Sequence, residues 1–372
     1  MPLSQIKVLE LANILAGPLI GQFCAELGAT VTKVEHPEGG DPTRGWHAAG
    51  ETQGEVSAYF SCANWGKRSI ALNIATDEGA NIVKRLVQRS DVVIVGYKPG
   101  DEQKFGLDYA TLRELNSRLI YLQITAYGTE DPRPGFDAII QAESGFTYLN
   151  GEASGGPVKM PVALVDVLAA HQLKEALLLA LMKRERNGEG SYLATSLLAA
   201  ATASLANQAS NYLHAGVVPK RMGSEHPNIV PYGNIIQTAD GREIVLAVGT
   251  ERQFREFSNA IGLPSLPDDE RFATNNDRVT NRDLLQALIR ERVQSMPSHE
   301  LEAELGRRKV PFGYVNDMPA VFELQESRKQ LFGSGKGLRT VAFTGDVFER
   351  IDLSPPPRLD EHRSEILQEL SD

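Results

Sequence analysis

Residues 6–35 read IKVLELANILAGPLIGQFCAELGATVTKVE, and their apolar spacing divides them into three pieces. Residues 6–11 are a short apolar run, Ala16-Gly17-Pro18 opens a helix that continues to Leu27, and Gly28-Ala29 leads into a β-branched run ending at Glu35. Proline suits the first helical turn, where an N–H has no intrahelical partner, and glycine suits the stop. The stretch therefore reads as a strand, helix, strand unit.

The same alternation continues downstream. Residues 68–73 are strand-like, Thr76 caps a helix to Arg89, 91–96 is strand, 112–116 is helical and 119–126 is strand. Strands alternating with helices predict an α/β fold with a doubly wound parallel sheet in a large domain, residues 1–195. Ligands in such sheets sit beyond the carboxyl ends of strands. Attention therefore falls on the loops 36–46, 97–106 and 127–137, which are rich in Gly, Pro and charge. Glu35 stands where dinucleotide folds place a ribose-binding acid. Ala16-Gly17-Pro18 is not G-x-G-x-x-G, however, and Pro18 removes an N–H that would meet a pyrophosphate, so nicotinamide chemistry is not expected.

Farther along, residues 160–171 read MPVALVDVLAAH. A lone carboxylate, Asp166, stands between a β-branched run and a long apolar helix expected over 168–183. Asp at a helix N-cap is a routine structural choice, because its oxygen satisfies orphan backbone N–H groups. A reacting carboxylate is the other reading, and this stretch alone leaves both open. Gly188 stops the helix, 191–195 reads as another strand, and 196–206 is a helix of small residues within a linker spanning 196–230.

From Pro231 the composition shifts. Residues 235–238, the turn Ala239-Asp240-Gly241 and residues 243–248 predict a β-hairpin. Amphipathic helices follow around 254–261, 284–292 and 299–305, with an extended run at 312–315. Residues 231–318 are thus a smaller α+β domain, and 319–372 are a return segment expected to pack on the large domain.

A chain of 372 residues with 42% apolar content suits two domains. Its net charge of −10 argues against a nucleic-acid binder. Cys24 and Cys62 lie in no Cys/His cluster, so neither a disulfide framework nor a metal site is indicated. The apolar stretches 169–182 and 194–206 are short, and the first is broken by His171, Lys174 and Glu175, so no membrane span is expected. The first ten residues lack a signal-peptide pattern, which gives a cytoplasmic expectation.

Ile6-Lys7-Val8-Leu9-Glu10, Ala16-Gly17-Pro18, Leu27-Gly28-Ala29, Lys33-Val34-Glu35, Gly40-Asp41-Pro42-Thr43-Arg44, residues 64–72, Pro99-Gly100, Val310-Pro311 and Val315-Asn316 occur in a shared order. In that order and spacing the chain resembles the class III CoA-transferases, the CaiB/BaiF family that includes formyl-CoA and carnitine CoA-transferases. The resemblance implies that Asp166 is the nucleophile that attacks an acyl-CoA thioester. Backbone N–H groups at its helix start are expected to stabilise the oxyanions. No cofactor is implied beyond coenzyme A and acyl-CoA as substrates. The CoA phosphates are expected near His36, Arg44, Lys67, Arg68 and Lys104, with Leu72, Tyr97 and Phe105 flanking the adenine. His36 replaces an arginine common in the family, Lys104 stands where arginine is frequent, and Asp360 replaces a glycine before Glu361-His362. The resemblance also implies an interlocked homodimer.

Two other functions remain in view. The α-methylacyl-CoA racemases share the fold and carry Gly-His-Asp where this chain has Gly135-Phe136-Asp137, and phenylalanine cannot accept a proton. His171, inside an apolar helix, reads as a packed core residue. A non-catalytic CoA-binding protein is the second alternative. For the acids exchanged, Leu15 replaces the Gln of formyl-CoA transferases, and residues 223–232 resemble those of dicarboxylate-specific members. Short dicarboxylates such as succinate are therefore expected, with Arg221 and His226 meeting a distal carboxylate and Leu15, Phe136 and Asp137 lining the substrate.

Overall fold

β1 (Lys7–Leu11), β2 (Thr30–Glu35), β3 (Lys67–Ala71), β4 (Val92–Val95), β5 (Ile120–Thr125) and β6 (Ser191–Ser196) form one sheet in the order β3-β2-β1-β4-β5-β6. Every neighbouring pair is parallel. The computed structural model describes residues 1–52, 54 and 56–371. Alternate residues of the strands supply the two faces of the sheet. Leu9, Leu11, Val93, Val95 and Tyr121 meet Val83, Val87, Leu112 and Ile366 from the helices Asp77–Gln88, Tyr109–Leu115 and Arg363–Glu369. Helices Ala16–Glu26 and Leu164–Asn187 pack on each other and against strands of the same sheet. The doubly wound parallel sheet expected from sequence is present.

The order of strands reverses between β1 and β4, which lie side by side. Loops leaving their carboxyl ends diverge there and open a crevice. Although this is the strand order of a dinucleotide fold, Glu35 is already occupied. Arg44 binds it with Nε and Nη2, both at 2.7 Å, and the Ser69 hydroxyl donates to it at 2.6 Å.

The chain forms two compact units. The first comprises Met1–Ser144, Met160–Ala206 and the segment from Glu326 onward, and the second comprises Gly145–Lys159 and Asn207–Gln325. Residues 145–159, grouped with the large domain from sequence, thus belong to the second unit. There Gly223 N–H donates to Gly151 O at 3.1 Å and Arg221 Nη1 to Tyr148 O at 3.0 Å. The expected single helix over 196–206 ends at Ala203, and a second helix, Ala206–Ala215, follows within the stretch read as linker.

In the second unit β7 (Tyr232–Gln237), β8 (Glu243–Ala247) and β9 (Phe312–Tyr314) make an antiparallel sheet. Gln237 pairs with Glu243 across the predicted hairpin turn. Phe254, Phe257, Phe272, Ile289 and Leu301 fill the core beneath it. Among the described residues no helix is long and apolar enough to cross a membrane.

The return segment binds the β3 edge in the first unit. Asp360 adopts a left-handed φ of 62°, and its carboxylate accepts Ala71 N–H at 2.7 Å. Aspartate tolerates this conformation when its short polar side chain is hydrogen-bonded locally.

Candidate active site

A cleft of about 260 Å³ opens at the carboxyl ends of β1, β4 and β5. Residues 12–17 line it after β1, Gly96, Tyr97, Lys98 and Pro99 after β4, and Thr125 and Ala126 at the end of β5. Leu15, Phe136 and Asp166, all singled out from sequence, also face it.

Asp166 reaches the cleft through the periodicity of its helix. Asp166, Ala170, Leu173, Leu177, Ala180 and Arg184 recur at three- and four-residue spacing and form the buried stripe. His171 lies off that stripe and is exposed, so the expectation of a packed core histidine is corrected.

Of the two readings left open for Asp166, capping of this helix is not the one the structure shows. The helix begins at Leu164, four residues earlier than the apolar pattern indicated, and Ala163 at its N-cap position makes no side-chain bond. Asp137 does the capping from another helix: its Oδ1 accepts Val165 N–H at 2.9 Å. Since an N-cap oxygen ordinarily binds this N–H from within the same segment, Asp166 is released from the structural duty. The N–H groups of Leu164 and Val167 are bonded to Val162 O and Ala163 O. Three N–H groups of this turn are therefore taken, which leaves less for an oxyanion than the sequence reading supposed.

Asp166 is 8% exposed, and its carboxylate accepts no hydrogen bond among the described residues. Burial, reinforced by the neighbouring charge of Asp137, pushes its pKa up to about 7. Gln141 steadies the arrangement. Its Nε2 donates to Asp137 at 2.8 Å, and its Oε1 accepts Met160 N–H at 2.9 Å. A buried, unbonded carboxylate facing a cleft is suited to nucleophilic attack.

The residues expected to hold CoA divide into two groups. His36 and Leu72 directly follow β2 and β3, and Tyr97 follows β4 after Gly96, so all three lie along the carboxyl edge that holds the cleft. The rings of Tyr97 and Phe105 meet edge to face at 6.1 Å, and Lys104 is one residue from Phe105, ion-paired with Asp101. Lys67 and Arg68 stand instead at the amino end of β3. Lys67 is 1% exposed and donates to Glu10, Asn64 and Pro18 O at 2.7, 2.9 and 2.9 Å. Arg68 is paired with Glu369, and Arg44 with Glu35. These three cations are engaged within the protein.

Phe136 precedes the Asp137–Glu143 helix and is 59% exposed at the cleft. Arg221 and His226 belong to the second unit. The Arg221 guanidinium lies 5.4 Å from the Tyr148 ring, and its buried Nε has no hydrogen-bond partner among the described residues. His226 Nδ1 accepts Asn228 N–H at 3.1 Å. Burial and Arg282 lower the His226 pKa, so the ring is neutral with its proton on Nε2. Sequence reasoning missed Asn13, Ile14, Lys98 and Arg133, which also line the cleft. Their position after β1, after β4 and in the 127–137 loop was the available signal.

A family profile described as CoA-transferase family III matches residues 3–348. The chain is 40% identical to a succinate–glutarate CoA-transferase from Agrobacterium fabrum, over 99% of this chain and 96% of that one. It is 33% identical to the succinyl-CoA:glutarate CoA-transferase of Homo sapiens, over 99% of this chain and 86% of that one. A crystal structure of a CaiB/BaiF family protein from Brucella suis superposes with a TM-score of 0.85 at 41% identity, covering 100% of this chain and 99% of that one. With its parallel sheet, its switch-point cleft and these similarities over nearly its whole length, the chain belongs to CoA-transferase family III and is a CoA-transferase.

Proposed function

We propose that this CoA-transferase moves CoA between an acyl-CoA and a carboxylic acid through a covalent aspartyl-CoA thioester on Asp166. The observation that carries the reading is the buried Asp166 carboxylate, which accepts no hydrogen bond among the described residues and faces the cleft. Its oxygen attacks the thioester carbonyl, the C–S bond breaks, and a mixed anhydride and CoA thiolate form. The thiolate attacks the aspartyl carbonyl, giving aspartyl-CoA and releasing the donor acid. An acceptor carboxylate then attacks aspartyl-CoA, and the freed thiolate takes the new acyl group from the second anhydride. Asp166 is restored, and no water or redox change enters.

CoA would lie along the carboxyl edge of the sheet, with Leu72, Tyr97 and Phe105 about the adenine and His36 and Lys104 toward the phosphates. Short dicarboxylates are the proposed acids, as the names of the succinate- and glutarate-specific relatives suggest. Arg221, with an unbonded buried Nε, and His226, with a donating Nε2, are proposed for the distal carboxylate. The working form is proposed to be an interlocked homodimer.

A panel of acyl-CoA donors against carboxylate acceptors tests this, with Asp166→Ala as control. Transfer among dicarboxylates that is lost in Asp166→Ala with CoA binding intact supports the reading. Transfer to branched or aromatic monocarboxylates alone contradicts the choice of acid.

A further inference from the structure

The turn that walls the cleft beside Asp166 is strained. Residues 12–15 connect β1 to the first helix and line the cleft, and Ile14 among them has a φ of 71°. A β-branched side chain in the left-handed region persists only where the surroundings dictate it.

Those surroundings are a fully buried ion-pair cluster that the proposed chemistry does not use. Ile14 N–H donates to both Asp41 oxygens, at 3.3 and 3.1 Å. Asp41 pairs with Lys33 at 3.0 Å and accepts Thr43 N–H and its hydroxyl at 3.0 and 2.8 Å. Lys33 in turn donates to Ala12 O at 2.7 Å and to Glu10 at 3.0 Å. A carbonyl and an amide on either side of the turn are thus gripped by the two halves of one ion pair. Glu10 also binds Lys67, which holds Pro18 O in the first helix. Gly21 leaves room for this, since a Cβ there would stand 2.0 Å from Glu10 Oε2. Burial opposes both charges, yet Glu10 and Asp41 keep Lys33 cationic, and Lys33 and the Thr43 bonds keep Asp41 anionic.

We infer that Asp41, with Lys33, is a positioning residue for CoA transfer: it holds the strained Ile14 turn in place and so sets the wall against which Asp166 meets the thioester. This rests on Asp166 as the reacting carboxylate. On this inference the cluster acts through the backbone of residues 12–14 rather than by contact with CoA or the acid.

A double-mutant cycle between Asp41→Asn and Ile14→Gly tests the inference, because glycine takes this φ without the Cβ penalty. Asp41→Asn lowers kcat for transfer about 10- to 100-fold, as misplacement of reacting groups does, while KM changes little. In the Ile14→Gly background the same substitution changes kcat by less than about threefold, because no strained residue remains to be held. If Asp41→Asn alone does not fold, Asp41→Glu, which keeps the charge and displaces the carboxylate, takes its place in both arms of the cycle with the same expected outcome. Thr43→Val, which removes a hydroxyl from the same carboxylate and leaves Ile14 bonded, lowers Tm with kcat retained. An Asp41→Asn enzyme with unaltered kcat, or an equal kcat loss in both backgrounds, overturns the inference. Acyl-CoA-dependent labelling of Asp166 in the unaltered enzyme is measured alongside: its absence removes the Asp166 reading itself, whereas its presence with an unchanged rate in Asp41→Asn removes only the positioning role.

Discussion

Asp137 accepts the N–H of Val165 at 2.9 Å, and this single bond both caps the helix and sets a second carboxylate near Asp166. The first consequence is a pH dependence. Asp166 attacks only as the carboxylate, and burial together with Asp137 raises its pKa to about 7. The account predicts that kcat/KM rises with pH through about 7 and levels above it. Asp137→Asn keeps an oxygen for Val165 and removes the charge, so the inflection moves to lower pH.

A stability effect of opposite direction follows for Asp166→Asn. The folded state binds the Asp166 proton more tightly than the unfolded chain does, so this residue's contribution to stability falls as pH rises from 3.8 to about 7 and stays lost above. The shift corresponds to an effect on the order of 4 kcal/mol. An amide does not ionise. Asp166→Asn is therefore predicted to lose transfer yet to exceed the parent in urea midpoint above pH 7, with the gap shrinking as pH falls toward 4. A gap independent of pH would contradict the burial argument.

Gln141 joins Asp137 to the segment before the helix, with bonds of 2.8 Å to Asp137 and 2.9 Å from Met160 N–H. Gln141→Leu removes the hydrogen bond to the Asp137 carboxylate and the one from Met160 N–H, at a cost of about 1–3 kcal/mol. The expected outcome is a lower Tm and a kcat reduced by about tenfold, with KM for acyl-CoA little changed. A change confined to KM would place Gln141 in substrate binding instead.

Much of this was legible in the sequence, and the limits have physical causes. Residues 6–35 carried the parallel sheet because strand and helix periods and the Gly and Pro positions all agreed, and the hairpin about Asp240-Gly241 was equally plain. The start of the Asp166 helix was misread because Val162 and Val165 suggest a strand, and the group that caps the helix lies 28 residues upstream. The roles of Lys67 and Arg44 were obscured for the same reason. A cation in a CoA-like motif looks free until the fold brings Glu10 or Glu35 beside it. The register that buries Lys33 against Asp41 likewise exists only in the folded chain.

Substrate choice can be tested at Arg221. Its buried Nε lacks a partner among the described residues, and the guanidinium suits a carboxylate. Arg221→Met is predicted to raise KM for dicarboxylate acceptors by about 10- to 100-fold, equivalent to losing a charged hydrogen bond. KM for acyl-CoA with a monocarboxylate acyl group should move by less than about threefold. Equal effects on both classes would assign Arg221 a structural role.

The central claim is that Asp166 carries CoA as a thioester. The most direct measurement incubates the enzyme with succinyl-CoA, traps with hydroxylamine and maps the product by peptide mass spectrometry. The account predicts a hydroxamate at Asp166 that depends on succinyl-CoA and is absent from Asp166→Asn. An active enzyme that gives no such adduct, or gives it at another carboxylate, would contradict the account.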